Sequence, residues 1–71
     1  MTNTSIDVTI NGDAREIAAG TSVHALLESL GLHPRLVVVE RNRVILDRTD
    51  FADTEVQAGD ALELVHFVGG G

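Results

Sequence analysis

The segment TSVHALLESLG, residues 21–31, decides the fold of this chain. Its bulky apolar residues recur at offsets of three, four and seven positions, at Val23, Leu26, Leu27 and Leu30. Ser22 precedes this set as a predicted N-cap, and Gly31 follows it as a predicted C-cap. A helix of two to three turns that is apolar on a single side must lie on a sheet.

A hairpin is predicted before this helix. Residues 6–10 alternate apolar and polar side chains, which is typical of a half-buried strand. Asn11 and Gly12 tolerate the positive φ angles of a tight turn. We expect a returning strand from Ala14 to Ile17 to pair with the first.

A second hairpin is predicted after the helix. The run from Leu36 to Val39 indicates a buried strand, and Val44 to Leu46 indicates a short partner across a turn at residues 41–43. The stretch from Asp47 to Ala58 is then mostly polar. We expect a long loop with one short helical turn, anchored in the core by Phe51 and Val56.

A last strand is predicted from Ala61 to Val68, after a turn at Gly59 and Asp60. Alternation puts Leu62, Leu64 and His66 on one face, and Glu63, Val65 and Phe67 on the other. With the leucines toward the helix, His66 would be partly buried at the edge of the core. Val65 and Phe67 would be exposed and could form a docking patch.

This order of elements describes an α+β domain of the ubiquitin-like β-grasp type. We expect a mixed sheet of four to five strands with one main helix on one face, leaving the other face open to water. The predicted domain spans residues 1–68, and residues 69–71 are expected to form a flexible glycine tail.

Composition excludes several classes of function. The chain has no cysteine, so disulfides, iron–sulfur clusters and a cysteine nucleophile are excluded. Its formal net charge of −6 argues against nucleic-acid binding and favours a basic protein partner. Neither a signal peptide nor a membrane span is expected, which predicts a cytoplasmic protein.

No constellation for independent catalysis is visible. The three histidines have no metal-ligand spacing, so no metal site is expected. The loop carboxylates are interpreted as a solvated acidic surface, at Asp47, Asp50, Asp53, Glu55 and Asp60. The remaining candidate is Gly71, whose terminal carboxylate follows two residues without side chains, Gly69 and Gly70. Such a tail can thread a slot too narrow for other residues.

Three motifs resemble the ThiS family of sulfur carriers in thiamine biosynthesis. The ending GDALELVHFVGGG, residues 59–71, is similar to that family's "GD.(I/L)E(I/L)VHFVGGG". Residues 20–27 resemble its "G.TV..LL", and residues 37–42 resemble its "VAVERN". Two departures concern a loop: Arg43 stands where the family usually has glycine, and Asp47 where a proline often precedes the arginine.

The resemblance implies a chemistry for the tail. A ThiF-type, E1-like adenylyltransferase would use Mg-ATP to adenylate Gly71, and a persulfide donor would convert it to a thiocarboxylate. A ThiG-type thiazole synthase would then take the sulfur. Gly69 and Gly70 would supply reach, Val65 and Phe67 would contact partners, and the carrier itself would hold no cofactor and act as a protein co-substrate.

Two alternatives stay open at this point. Another β-grasp sulfur carrier, such as the small subunit of molybdopterin synthase or a tRNA-thiolation carrier, would also end in Gly-Gly. A non-covalent interaction module would use the open sheet and leave the tail idle.

Overall fold

The computed structural model describes residues 4–67, which form a five-stranded sheet with one α-helix. The strands are β1 (Ser5–Ile10), β2 (Asp13–Ala18), β3 (Val37–Arg41), β4 (Val44–Ile45) and β5 (Ala61–His66); the helix is α1 (Val23–Ser29). Two 3₁₀ helices occupy the connections, at Pro34–Leu36 and Arg48–Asp53.

The strands lie in the order β2-β1-β5-β3-β4. β5 pairs in parallel with β1 and antiparallel with β3, while both hairpins are antiparallel. The last strand is therefore the centre of the sheet, held between the first and third. This arrangement is the predicted mixed β-grasp sheet.

Helix α1 begins and ends through local hydrogen bonds. The Ser22 hydroxyl accepts the backbone N–H of Ala25 at 3.0 Å, as predicted for an N-cap. The cap residue at the other end is Leu30 rather than Gly31. Gly31 is the next residue and takes a φ of 75°, where its lack of a Cβ avoids the steric cost of the left-handed region.

Both hairpins close through two residues with positive φ. Asn11 and Gly12 have φ of 50° and 85°, as the sequence predicts for the first turn. The second turn consists of Asn42 and Arg43, with φ of 51° and 72°. An arginine therefore occupies a conformation that glycine or asparagine adopts at lower cost.

The core lies between α1 and one face of the sheet. Its buried apolar residues are Val8, Ile10, Val23, Leu26, Leu27, Val37, Val39, Phe51, Val56, Leu62 and Leu64. Phe51 and Val56 are 2% and 1% exposed, so both predicted loop anchors are confirmed. The predicted helical turn of this loop is also present, as the 3₁₀ helix at Arg48–Asp53.

Three predictions about the last strand and the turn that precedes it are corrected. Strand β5 ends at His66 within the described residues, and Val68 lies outside them. His66 is exposed, because α1 spans about 10 Å whereas β5 spans about 20 Å, so the helix cannot cover the whole strand. Asp60 is not solvated: it is only 5% exposed.

Candidate functional site

The end of β5 presents an apolar patch on the face opposite the helix. Val65 and Phe67 are 55% and 56% exposed, which confirms the exposure predicted for both. Val38 lies directly across from Val65 on β3. We call Val38, Val65 and Phe67 the exit patch, because the chain leaves the sheet beside it.

Phe67 is held in place by its backbone although it lies beyond the strand. Its N–H donates to the carbonyl of Leu36 at 2.8 Å, which continues the pairing between β3 and β5 by one residue. Leu36 is itself 40% exposed and adds apolar surface at this end of the sheet. The point from which residues 68–71 continue is therefore fixed to the sheet.

Asn11 supports the other side of β5. Its Oδ1 accepts the N–H of Leu64 at 2.7 Å, and its Nδ2 donates to the Leu64 carbonyl at 3.2 Å. One side chain thus provides the two hydrogen bonds that a continuing β1 would have made. The sequence predicted Asn11 only as a turn residue, since a contact 53 positions away leaves no local signal.

The middle of the open face is acidic. Glu40 and Glu63 are direct cross-strand partners between β3 and β5, and the pleat turns both away from the core. Like charges in this position oppose pairing. The face that carries the exit patch therefore favours a partner with basic groups, in agreement with the net charge of −6.

The start of β5 is anchored by a buried carboxylate that sequence reasoning placed in solvent. Asp60 Oδ2 accepts from Arg41 Nε at 2.7 Å and from the Gln57 N–H at 2.8 Å, and Oδ1 accepts from Asn42 Nδ2 at 3.0 Å. Burial raises the pKa of Asp60. These hydrogen bonds and the charge of Arg41 lower it by a larger amount, so the net shift of the pKa is downward.

The three histidines lie in two separate places. His66 is on β5, whereas His24 and His33 line a separate surface depression beside α1. His24 Nε2 is 3.4 Å from a carboxylate oxygen of Glu28, one helical turn away. The structure therefore does not bring the histidines into one cluster.

The predicted reactive residues, Gly69, Gly70 and Gly71, lie outside the described part of the chain. Their roles, and the docking role of Val65 and Phe67, stay predictions. Within residues 4–67, no helix has the length and apolar character needed to cross a bilayer.

Comparison with known proteins adds family evidence to this geometry. The family model described as "ThiS family" matches residues 8–71. Sulfur carrier protein ThiS of Bacillus subtilis is 40% identical over 70% of this chain and 76% of its own length. Sulfur carrier protein ThiS of Escherichia coli is 33% identical over 93% of this chain and all of its own length.

A longer relative also matches. The thiazole synthase of Paramagnetospirillum magneticum is 47% identical over 87% of this chain, which corresponds to only 19% of that enzyme's length. The chain thus spans about a fifth of this relative.

A solved structure confirms the fold. The thiamine biosynthesis protein ThiS from Geobacter metallireducens superimposes with a TM-score of 0.79 at 36% identity, covering 93% of this chain and all of the other. The family model matches 64 of the 71 positions, from 8 to 71, and the relatives above agree with it. This chain therefore belongs to the ThiS family.

Proposed function

We propose that this protein is a sulfur carrier in thiamine biosynthesis and that it carries sulfur as a thiocarboxylate on Gly71. The observation that supports this most is the extent of the family match, which runs through the glycine ending at residues 69–71. The carriers of B. subtilis and E. coli named above cover most of the chain.

The carboxylate of Gly71 requires activation before sulfur can be attached. A C-terminal carboxyl group has an ordinary pKa of about 3.5, so it is ionised and a poor electrophile at neutral pH. In the proposed first step, a carboxylate oxygen attacks the α-phosphorus of Mg-ATP on an E1-like adenylyltransferase. Pyrophosphate leaves, and Gly71 becomes an acyl-adenylate.

Sulfur then replaces AMP. The terminal sulfur of a persulfide attacks the carbonyl carbon of Gly71, AMP leaves with the C–O bonding pair, and an acyl disulfide forms. A thiol then attacks the donor's own sulfur in this acyl disulfide; the S–S bond breaks, and a new disulfide forms between the thiol and the donor. The thiol supplies the two electrons, and the thiocarboxylate is released.

Thiazole synthase is the proposed acceptor of the sulfur. A segment resembling this chain occurs within the thiazole synthase of P. magneticum, and a second such enzyme, from Magnetococcus marinus, is 40% identical over 87% of this chain. Joining two proteins in one chain raises their effective concentration for each other, which is useful when they must meet repeatedly.

In this proposal the folded domain binds the partner enzymes and positions the tail. The pairing of β5 with β3 and the hydrogen bonds of the Asn11 side chain fix the end of β5. The exit patch lies beside the point where the tail begins. We propose that partners contact Val65 and Phe67 while Gly69 and Gly70 extend Gly71 into each active site. In this scheme the carrier is a co-substrate, and the catalytic groups belong to its partners.

Deletion of Gly71 distinguishes this proposal from a non-covalent interaction module. The truncated protein should still bind thiazole synthase through the exit patch but should support no thiazole formation in a reconstituted mixture. The truncated protein still ends in a carboxylate, on Gly70, but its tail is one residue shorter. A matched variant, Gly71→Ala, keeps the length of the tail and its terminal carboxylate, and so controls for the identity of the last residue. Full thiazole formation by the truncated protein would show that Gly71 carries no sulfur.

A further inference from the structure

Among residues 4–67, one backbone edge of β5 has no hydrogen-bond partner at the end of the strand. Phe67 donates its N–H to Leu36 on the β3 side, and neighbouring residues of a strand point their backbone groups in opposite directions. The N–H and C=O of His66 therefore point toward the β1 side. Among residues 4–67, no group forms a hydrogen bond with them.

Asn11 determines where this open edge begins. Strand β1 ends at Ile10, beside Leu62, and the Asn11 carboxamide then occupies the N–H and C=O of Leu64. The next residue with the same orientation is His66, two positions closer to the tail. The open edge is thus confined to the segment that continues into residues 68–71.

The length of the tail requires a partner to lie close to this edge. Four residues follow Phe67, and four extended residues reach at most about 14 Å. An enzyme that acts on Gly71 must therefore place its active site within about 14 Å of Phe67, and its surface must cover the end of β5. Backbone groups covered in this way require new hydrogen-bond partners in place of water.

We infer that an extended strand of thiazole synthase pairs with β5 at His66, next to Asn11, and so aligns the tail with the active site. Strand addition to an exposed sheet edge gives both affinity and register through main-chain hydrogen bonds. The inference rests on the proposed function, because it takes thiazole synthase as the protein that receives Gly71.

A backbone substitution tests this pairing without changing any side chain. In a chain assembled by peptide ligation, an ester replaces the amide that joins Val65 to His66, which removes the His66 N–H. The matched control places the same ester before Glu16 on β2. The hairpin register points the Glu16 N–H away from β1, at the opposite edge of the sheet. Each ester therefore removes one N–H that points away from the sheet. Each also weakens one carbonyl acceptor that bonds to the neighbouring strand within the sheet.

Binding of both variants to thiazole synthase and to the adenylyltransferase is measured by titration calorimetry, and their thermal unfolding is measured in parallel. We expect the ester at His66 to weaken binding about tenfold, the loss expected for one net hydrogen bond, and the ester at Glu16 to change it less than twofold. Both esters should lower the unfolding temperature equally.

Equal affinities of the two esters for thiazole synthase would overturn the pairing at His66 and leave the sulfur-carrier proposal intact. Weakened binding only to the adenylyltransferase would also overturn it, since the strand would then belong to that enzyme. If the unmodified chain does not bind thiazole synthase, the choice of partner is wrong, and the proposed function fails with it.

Discussion

Arg41 Nε lies 2.7 Å from Oδ2 of Asp60, and this ion pair ties the end of β3 to the residue that precedes β5. Asp60 is buried, while the Arg41 side chain is 28% exposed. The pair therefore combines a desolvated carboxylate with a partly hydrated guanidinium. Because Val65 of the exit patch lies on β5 and Phe67 directly follows that strand, this contact fixes the strand that precedes the tail.

Replacing Asp60 by Asn should lower the free energy of unfolding by about 1.5–3 kcal/mol, the usual range for hydrogen bonds to a charged group. The substitution preserves shape but removes the charge that faces Arg41. Urea denaturation measures the change, with Asp53→Asn as an exposed control expected to stay within about 0.5 kcal/mol. Equal effects at both positions would mean that the buried pair contributes nothing.

The same carboxylate makes stability depend on pH. The pKa of Asp60 is lower in the folded protein than its ordinary value, so the folded state disfavours the proton. This contribution is complete above the unfolded value of about 3.9 and is lost as the pH falls through the lower folded pKa. Unfolding free energy measured across this acidic range should fall more steeply for the native chain than for Asp60→Asn. Parallel curves would contradict the assignment.

Arg43→Gly should stabilise the domain by up to about 1 kcal/mol, because Arg43 has a φ of 72° and glycine adopts this region without a steric cost. Asn42→Gly is the matched variant at the neighbouring turn position. It should destabilise, since the Asn42 side chain donates to Asp60 and accepts the Ala61 N–H. Thermal unfolding of the two variants in opposite directions is the expected result; a loss of stability in Arg43→Gly would refute the strain at this position.

Phe67→Ala should weaken binding to thiazole synthase by at least about 1 kcal/mol, because exposed aromatic residues often dominate protein interfaces. The control is Val44→Ala, which shortens an apolar side chain of similar exposure, 63%, on the edge strand β4. Both changes should alter folding stability by less than about 0.5 kcal/mol. Calorimetric titration decides the matter, and unchanged affinity for Phe67→Ala would remove Phe67 from the docking surface.

Gly70→Leu should block adenylation of the neighbouring glycine while leaving the domain folded, because a side chain at this position would not fit a narrow slot in the activating enzyme. Pyrophosphate release reports adenylation, and circular dichroism reports folding. Normal pyrophosphate release by this variant would defeat the threading argument.

Leu27→Ala should reduce stability and leave adenylation unchanged, the reverse of Gly70→Leu. Leu27 is fully buried in the core, so its truncation should lower the free energy of unfolding by about 2–5 kcal/mol. At temperatures where this variant remains folded, adenylation should be normal. A loss of adenylation without a loss of stability would mean that Leu27 acts directly at the site.

The sequence predicted the features of this fold that depend on neighbouring residues. Ser22 begins the helix because its hydroxyl and the Ala25 N–H are three positions apart, and Asn11-Gly12 turns the hairpin through its own φ angles. The N-cap and the turn each depend on residues within a few positions of one another. The helix, the first hairpin and the alternation of β5 therefore follow from the sequence alone.

Contacts between distant residues were not accessible in this way. The sequence predicts a hydrated Asp60, because its partner Arg41 is 19 positions away and a carboxylate in a polar loop is usually hydrated. The sequence predicts a partly buried His66, because alternation alone does not show where the helix stops covering the strand. The open edge beside His66 depends on the parallel pairing of β1 with β5, which only the topology provides.

The most direct measurement is the intact mass of the protein after incubation with its activating enzyme, Mg-ATP and a persulfide donor labelled with heavy sulfur. We predict the mass increase that corresponds to one terminal oxygen replaced by one labelled sulfur, located by fragmentation at Gly71, and no increase when ATP is omitted. An unchanged mass, with an activating enzyme shown to be active on another carrier, would contradict the proposed sulfur-carrier function.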